Sequence, residues 1–262
     1  MKVSKDIVDK RRQDVMKVIQ ENNAMNVEDL AIKFNVSPIT IRRDLQYRED
    51  QGAIERFYGG ASLLQAFIEE DEESYQRNRY MRAIAKRAAY FIEDGDVVFI
   101  NSSITAIMII NYIKYKNVTV ITNNARAINY NPDEGVTVLF TGGEVRFPKK
   151  SITGDLALST INSITANKCF IGCSGLTKDS VSTGFVKEAS INKAMLQRTK
   201  GQKFLLCDHT KFGLSYSFDY ARFSECDYLI TDVLANKETV SSIKENFNNI
   251  KVIEVEALKQ GQ

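Results

Sequence analysis

The chain has one histidine, His209, among its 262 residues. That scarcity leaves no room for a histidine metal cluster, and it argues against a Ser-His-Asp triad drawn from several candidates. Cysteine is also scarce: Cys169, Cys173, Cys207 and Cys226, all in the second half. Four are too few to staple a chain of this length, and their spacing is not that of a zinc site. Three lie in or beside apolar, strand-like runs and read as small buried hydrophobes. No metal and no cofactor is expected. No apolar run approaches the roughly twenty residues of a membrane span. Residues 1–12 are charged throughout and lack the apolar core of a signal sequence. The expected setting is cytoplasmic, with no membrane partner. Net charge is nearly absent too: 35 Lys and Arg against 33 Asp and Glu leave +2. Any affinity for nucleic acid must therefore be local.

What remains is ordinary globular material, 44% hydrophobic and 26% charged. Those values exclude a wholly disordered, collagenous or low-complexity chain. The length suits one large domain or two modest ones. The clearest punctuation is Glu69-Glu70-Asp71-Glu72-Glu73, five carboxylates that repel one another and seek water. Just before them, Tyr58-Gly59-Gly60-Ala61 is a place where regular structure should stop. The expected layout is a first domain over 8–63, an acidic linker over 64–75 and a second domain over 76–262. No internal repeat is visible.

Before the break the periodicity is helical. Val15, Val18 and Ile19 mark a helix over about 6–22, and Val27, Leu30, Ala31 and Phe34 mark a second. Asn35-Val36 leaves room only for a turn. Ser37 is a good N-cap, and Pro38 suits the first position of a third helix. Residues 54–58 read as a short wing-like strand. Two short helices, a tight turn and a wing make a winged helix-turn-helix, with the helix-turn-helix at about 25–44. The second of those helices must offer hydrogen-bonding side chains to a major groove and keep an apolar back. Ser37, Thr40, Arg42 and Arg43 supply the front, and Ile41 and Leu45 the back.

After the break, short unalternated apolar runs stand at 97–100, 118–121, 136–140, 169–171, 204–207, 228–230 and 252–255. They suit parallel strands buried on both faces. Helical stretches between them, at 105–115, 188–199 and 237–247, imply a Rossmann-like, mostly parallel α/β sheet. Ligands of such sheets sit at the carboxyl ends of the strands. Five of those ends are rich in small, hydroxyl or charged residues: 101–105, 122–124, 141–143, 172–175 and 207–213.

Residues 27–45, with Val36-Ser37 and Thr40-Ile41-Arg42-Arg43-Asp44-Leu45 at their heart, resemble the DeoR family of bacterial transcriptional regulators. Gly52-Ala53-Ile54-Glu55-Arg56 and Gly59-Gly60-Ala61 carry the same resemblance. It implies a repressor of carbohydrate-metabolism genes that binds double-stranded operator DNA. The implied DNA contacts are Ser37, Ile39, Thr40, Arg42 and Arg43 on the helix, with Arg56 on the wing. Up to residue 61 the chain has eleven Lys and Arg (2, 5, 10, 11, 12, 17, 33, 42, 43, 48, 56) against ten Asp and Glu. Non-specific affinity should then be modest, which favours a homodimer or homotetramer on paired half-sites.

The resemblance continues through Gly154, Glu188-Ala189 with Lys193, and Asp208 to Gly213, which are similar to the family's sensor domain, a relative in fold of ribose-5-phosphate isomerase. It implies a small-molecule effector, a phosphorylated sugar or related metabolite, that releases the protein from DNA. Ser102, Ser103 and Thr105 would hold phosphate, and Asn123, Gly142, Gly143, Asp208 and Lys211 would line the rest. One departure stands out: the family pattern Asp-Ser-Gly-Thr-Thr is Asn101-Ser102-Ser103-Ile104-Thr105 here. The alternative is a sugar-phosphate isomerase-like enzyme with an appended DNA-binding domain. That chemistry needs a carboxylate base near the substrate carbons. Where the isomerases carry paired aspartates, this chain reads Gly172-Cys173-Ser174-Gly175. The expectation is a regulator and not an enzyme.

Overall fold

The computed structural model describes residues 5–22, 24–50, 54–57, 60–63, 72–147 and 149–258. The chain divides into two compact units, Met1–Asp71 and Glu72–Gln262. Among the described residues no helix is long and apolar enough to cross a membrane.

The first unit runs α1 (Lys5–Asn22), β1 (Ala24–Asn26), α2 (Val27–Phe34), α3 (Pro38–Asp50), β2 (Ile54–Phe57) and β3 (Gly60–Leu63). Its three strands form an antiparallel sheet in the order β1-β3-β2. Asn35 ends α2 in the left-handed region, φ 49° and ψ 49°, and its N–H reaches back to the carbonyls of Ala31 and Ile32. Asparagine tolerates that conformation better than most residues. Ser37 caps α3, its hydroxyl accepting the Thr40 N–H at 3.3 Å. The core is the stripe the periodicity marked, with Ile19, Leu30, Ile41, Leu45 and Ile54 fully buried. One expectation fails here. Regular structure does not stop at Gly60-Ala61, because these residues open the return strand of the wing, with Arg56 paired to Ala61 and Phe57 to Gly60. Ala61 is fully buried, so the hairpin is held by the core.

The second unit opens with α4 (Glu72–Ala89), which starts inside the stretch expected as linker. Then come β4 (Val97–Ile100), α5 (Ile104–Ile107), β5 (Val118–Thr122), β6 (Val136–Phe140), β7 (Glu144–Arg146), β8 (Ser151–Thr153) and α6 (Asp155–Ser163). After them follow β9 (Lys168–Gly172), β10 (Gly175–Leu176), β11 (Val181–Thr183), α7 (Val186–Gln197), β12 (Lys203–Leu206) and β13 (Phe218–Ala221). β14 (Tyr228–Asp232), α8 (Lys237–Asn246) and β15 (Lys251–Val255) complete it.

Seven strands form one parallel sheet in the order β15-β14-β12-β9-β4-β5-β6. Each inner strand feeds two cores. Phe99, Ile171, Leu205 and Leu229 enter one, while Val98, Ile100, Phe170, Phe204 and Ile230 enter the other. Burial on both faces is why these runs show no alternation. The chain leaves β4 toward β5 and β6, then returns to β9 on the other side of β4. The order of winding therefore reverses between β4 and β9, where a crevice opens in sheets of this kind.

The helix expected over 105–115 is only α5 followed by a 3-10 stretch, Met108–Tyr112. Ile104, Thr105, Ile107, Ile109 and Ile110 are β-branched and lose χ1 freedom in a helix. The periodic pattern there reflects burial more than helical preference, since Thr105, Ile107, Ile109 and Ile110 are all buried.

Candidate functional site

On α3 the apolar back is complete: Ile41 and Leu45 are fully buried. Ser37, Ile39, Arg42 and Arg43 are exposed, and Thr40 is half-buried with its hydroxyl 2.9 Å from that of Ser37. Arg42 stands 3.7 Å from Glu28, but both are exposed, so the pair constrains the guanidinium little. The Arg56 side chain lies outside the described residues. A feature absent from the sequence reading fixes the helix. Asp44, 2% exposed, accepts Nε–H bonds from Arg11 at 2.7 Å and Arg12 at 3.0 Å. Arg12 also covers the Tyr47 ring, 3.9 Å from its centre. A buried carboxylate between two arginines of α1 sets which face of α3 meets solvent.

In the second unit a cavity of about 420 Å³ opens at the winding reversal. Its floor is the loop after β4. Asn101 is buried there and organises its neighbours. Its Nδ2 donates to the Gly172 carbonyl at 2.9 Å and to Asn192 Oδ1 at 3.1 Å. Its Oδ1 accepts from the backbone N–H groups of Gly172 at 3.0 Å and Ser103 at 3.2 Å. The Ser103 hydroxyl accepts the Ala106 N–H at 3.3 Å, and the Ser103 carbonyl accepts from Asn124 Nδ2 at 3.0 Å. Gly172 has no room for a side chain: a Cβ there would lie 2.1 Å from Ser103 Oγ.

Among the described residues four cations and two carboxylates share the wall: Arg77, Arg126, Lys149 and Lys211 with Asp208 and Glu188. Asp208, after β12, is 1% exposed and meets Arg77 of α4 through Nε at 3.2 Å and Nη2 at 3.3 Å. It also accepts the Thr210 N–H at 3.1 Å and a short bond from the Thr210 hydroxyl. Burial pushes the Asp208 carboxyl up, but Thr210, Arg77 and Lys211 together outweigh it and hold it below the usual carboxylate range. Lys211 enters no ion pair with a described residue. Glu188, at the start of α7, is held by Ser151 Oγ and Thr183 Oγ1, each at 3.0 Å, and by Arg146 at 3.3 Å and Lys149 at 3.4 Å. Arg126 bonds the Lys149 carbonyl, and burial lowers its pKa, with Tyr130 opposing.

The loops of 101–105 and 207–213 thus meet, and Ser102, Ser103, Thr105, Asp208 and Lys211 all reach the cavity. Asn123, Gly142 and Gly143 do not. Asn123 is buried and spends its Nδ2 on the Ile152 carbonyl at 3.1 Å, tying β5 to β8. Gly143, at φ 114°, passes so close to β8 that a Cβ would sit 2.5 Å from the Thr153 carbonyl. The glycine pair serves the entry to the β7–β8 hairpin. Sequence reading did not place Arg77, Arg126, Lys149 and Asn192 at the site, and it knew Glu188 only through family resemblance. Glu188 and Asn192, four apart and buried among Ala189, Ile191 and Met195, were the available signal.

The cysteines are free. Burial pushes Cys169 up to about 12 and raises Cys207 well above the ordinary thiol value, so neither is a nucleophile. His209 is anchored, with Nδ1 2.9 Å from Asp232 Oδ1 and its ring edge-on to Tyr80.

Two family models match the chain: a DeoR-like helix-turn-helix domain over residues 11–67 and a DeoR C terminal sensor domain over residues 77–233. The HTH-type transcriptional regulator IolR of Bacillus subtilis is 30% identical over 226 residues, covering 84% of this chain and 90% of that protein. The lactose phosphotransferase system repressor of Staphylococcus aureus is 27% identical over 241 residues, covering 89% and 95%. Among solved structures, ribose 5-phosphate isomerase A from Neisseria gonorrhoeae aligns with a TM-score of 0.37 and 12% identity, covering 52% of this chain and 54% of that one.

Proposed function

The chain belongs to the DeoR family of transcriptional regulators, and on that footing we propose that it is a repressor of carbohydrate-metabolism genes, released from its operator by a phosphorylated sugar. The exposed front of α3 reads the major groove through Ser37, Ile39, Thr40, Arg42 and Arg43, and Arg56 of the wing contacts the adjoining backbone. The first domain carries the DNA, the acidic stretch after residue 63 connects, and the α/β domain takes the effector. A helix of this size reads only a few base pairs, so the working form is a homodimer or homotetramer on paired half-sites.

The observation that carries the effector reading is the charge of the cavity. Among the described residues four cations face it against two carboxylates, and both carboxylates are already met by donors. A phosphate carries close to two negative charges at neutral pH, which suits that surplus. The cavity volume is within the usual range for small ligands. The same observation weighs against isomerisation. A general base needs a carboxylate aimed at the substrate, whereas Asp208 faces Arg77 and Thr210, and Glu188 faces two hydroxyls and two cations.

Lys211 is the test residue. A lysine ammonium on a flexible stem offers a point charge to phosphate. Lys211→Ala should bind operator as the wild type does but resist release, because a ligand shifts an equilibrium only through differential binding. The assay is an operator-release titration with the phosphorylated sugars that raise the melting temperature in a thermal-shift screen. Release of the mutant at the wild-type effector concentration would remove Lys211 from the site.

A further inference from the structure

We infer that strand β6, the free edge of the seven-stranded sheet, is where a second copy of this chain docks, edge to edge about a two-fold axis. The inference gives the oligomer of the proposed function its surface, and it rests on that oligomer and not on the effector. The two edges of the sheet differ in chemistry. β15 carries Lys251 and Glu254, and Glu254 also meets Lys237 at 2.6 Å and Lys244 at 3.2 Å. Charges of that kind keep an edge from pairing. β6 reads Val136-Thr137-Val138-Leu139-Phe140, with no charge and no proline, and among the described residues it pairs with β5 alone.

Its open side follows from the alternation of a parallel ladder. The Gly135 carbonyl accepts the Val118 N–H, and the Thr141 N–H donates to the Thr122 carbonyl. Residues 135, 137, 139 and 141 therefore turn their backbone groups to β5, and Val138 and Phe140 turn theirs outward. Side chains are uncovered on both faces. Leu139 shares the face of Ile121 and Phe140 takes the opposite one, yet they are 46% and 42% exposed. Leu156 of α6 is 71% exposed, and the Thr160 hydroxyl holds it to the strand end, 3.0 Å from the Leu156 carbonyl and 2.8 Å from that of Thr141. Ile128, 78% exposed, lies in the 3-10 stretch Ala125–Asn129 that follows β5, whose Thr122 pairs with Phe140. Together these four leave roughly 500 Å² of apolar surface open, which matches the apolar share of a stable homodimer interface of about 800 Å² per partner.

The occupant is a second copy because the strand complements itself, as an interface between identical surfaces must. A two-fold axis at Val138 sets Val138 against its own copy, Thr137 against the partner's Leu139 and Val136 against the partner's Phe140. Each Val138 N–H then donates to the carbonyl of the other Val138, and each Phe140 N–H to the partner's Val136 carbonyl. The Val136 N–H needs no partner there, since it already donates to the Asp133 carbonyl at 2.9 Å. Tyr115, almost fully exposed, is held beside the start of β6 by its N–H bond to Asp133 Oδ2 at 2.8 Å. That is the end that receives the apolar residues of the other copy.

The experiment is sedimentation of the full chain, with amide hydrogen exchange read residue by residue by NMR. Leu139→Lys should weaken association about a hundredfold or more, since each copy brings an unpaired charge to a buried joint, and so halve the mass of the assembly at micromolar concentration. Leu234→Lys, an exposed position after β14 near the other edge, should leave the assembly intact. The Val138 and Phe140 amides should exchange slowly in the wild type and on the order of a hundredfold faster in Leu139→Lys. An assembly that survives Leu139→Lys, or fast exchange at both amides in a wild-type oligomer, would overturn the inference and leave the paired-half-site reading standing. A wild-type monomer would sink both. If Leu139→Lys does not fold, exchange in the wild type decides alone: slow at both amides supports the edge pairing, and fast overturns it.

Discussion

Asp44→Ala tests how the DNA-reading helix is held. The carboxylate is 2% exposed and receives two charged hydrogen bonds, at 2.7 Å from Arg11 and 3.0 Å from Arg12. Removing one partner of a fully buried pair costs about 3–5 kcal/mol, mostly because the other charge is stranded. Here the stranded arginines are 16% and 21% exposed and can turn toward water, so the loss falls to the bottom of that range or just below it. We expect a loss of about 2–3 kcal/mol, where charged hydrogen bonds contribute roughly 1.5–3 each before such relaxation. For a unit of this size 1 kcal/mol moves the melting temperature by about 4–8 °C, so the fall should be roughly 10–20 °C. Differential scanning calorimetry of the full chain reads it, and the affected transition is the one that operator DNA raises. Arg11→Ala and the double mutant complete a cycle, in which a coupled pair shows less than the sum of the single losses. A wild-type melting profile for Asp44→Ala would show that the arginines, not the carboxylate, hold α3.

Arg43→Ala should weaken operator binding by about 1–3 kcal/mol if the guanidinium pairs with a base; measured at one salt concentration against operator and random DNA, unchanged binding to both would remove it from the interface. Gly172→Ala should lower effector affinity and leave operator affinity intact. Its Cβ would lie 2.1 Å from Ser103 Oγ and 2.5 Å from Ser103 Cβ, so the loop after β4 has to move; overpacking of this kind costs about 1–3 kcal/mol. Normal effector binding by that variant would show that the loop gives way without harm. In sedimentation at micromolar concentration the free protein should run as a dimer or larger, and a monomer that binds its operator one to one would contradict the paired-half-site reading.

The legible parts of this chain were those whose signal is local. Val15, Ile19, Leu30, Ile41 and Leu45 declare their helices by spacing, and burial of that set is what the spacing meant. Ser37 and Pro38 gave the start of α3 by cap chemistry alone. The parallel strands were readable because burial on both faces leaves runs such as Val97-Val98-Phe99-Ile100 without polar interruption. The short antiparallel pieces were not. β10, β11 and β13 hold only two to four residues each, too few for a periodicity to show, and β13 pairs with β11 across more than thirty residues. Ion pairs across sequence were equally hidden: Arg77 meets Asp208 at a separation of 131 residues and Arg11 meets Asp44 at 33. The Thr122-Asn123-Asn124 loop shows the finer limit. Sequence pointed to Asn123, but Asn124 reaches the Ser103 carbonyl while Asn123 turns to β8, a choice set by the backbone.

The altered loop 101–105 can now be given a physical account. Asn101 stands where the family pattern has aspartate, and its Nδ2 must donate to two oxygens, the Gly172 carbonyl and Asn192 Oδ1. An aspartate has no N–H to give and would set a negative charge against both acceptors. Asn101 and Asn192 therefore form a neutral lock that suits each other. The hydroxyl of Ser103 is spent on the Ala106 N–H, and Ile104 turns a partly exposed apolar side chain to the cavity. With no glycine at 103 and no hydroxyl at 104, the loop offers a bound anion fewer donors than the family pattern would. On the proposed effector reading, the holding of an anion then falls to side-chain charge, with Lys211 among the cations that line the cavity.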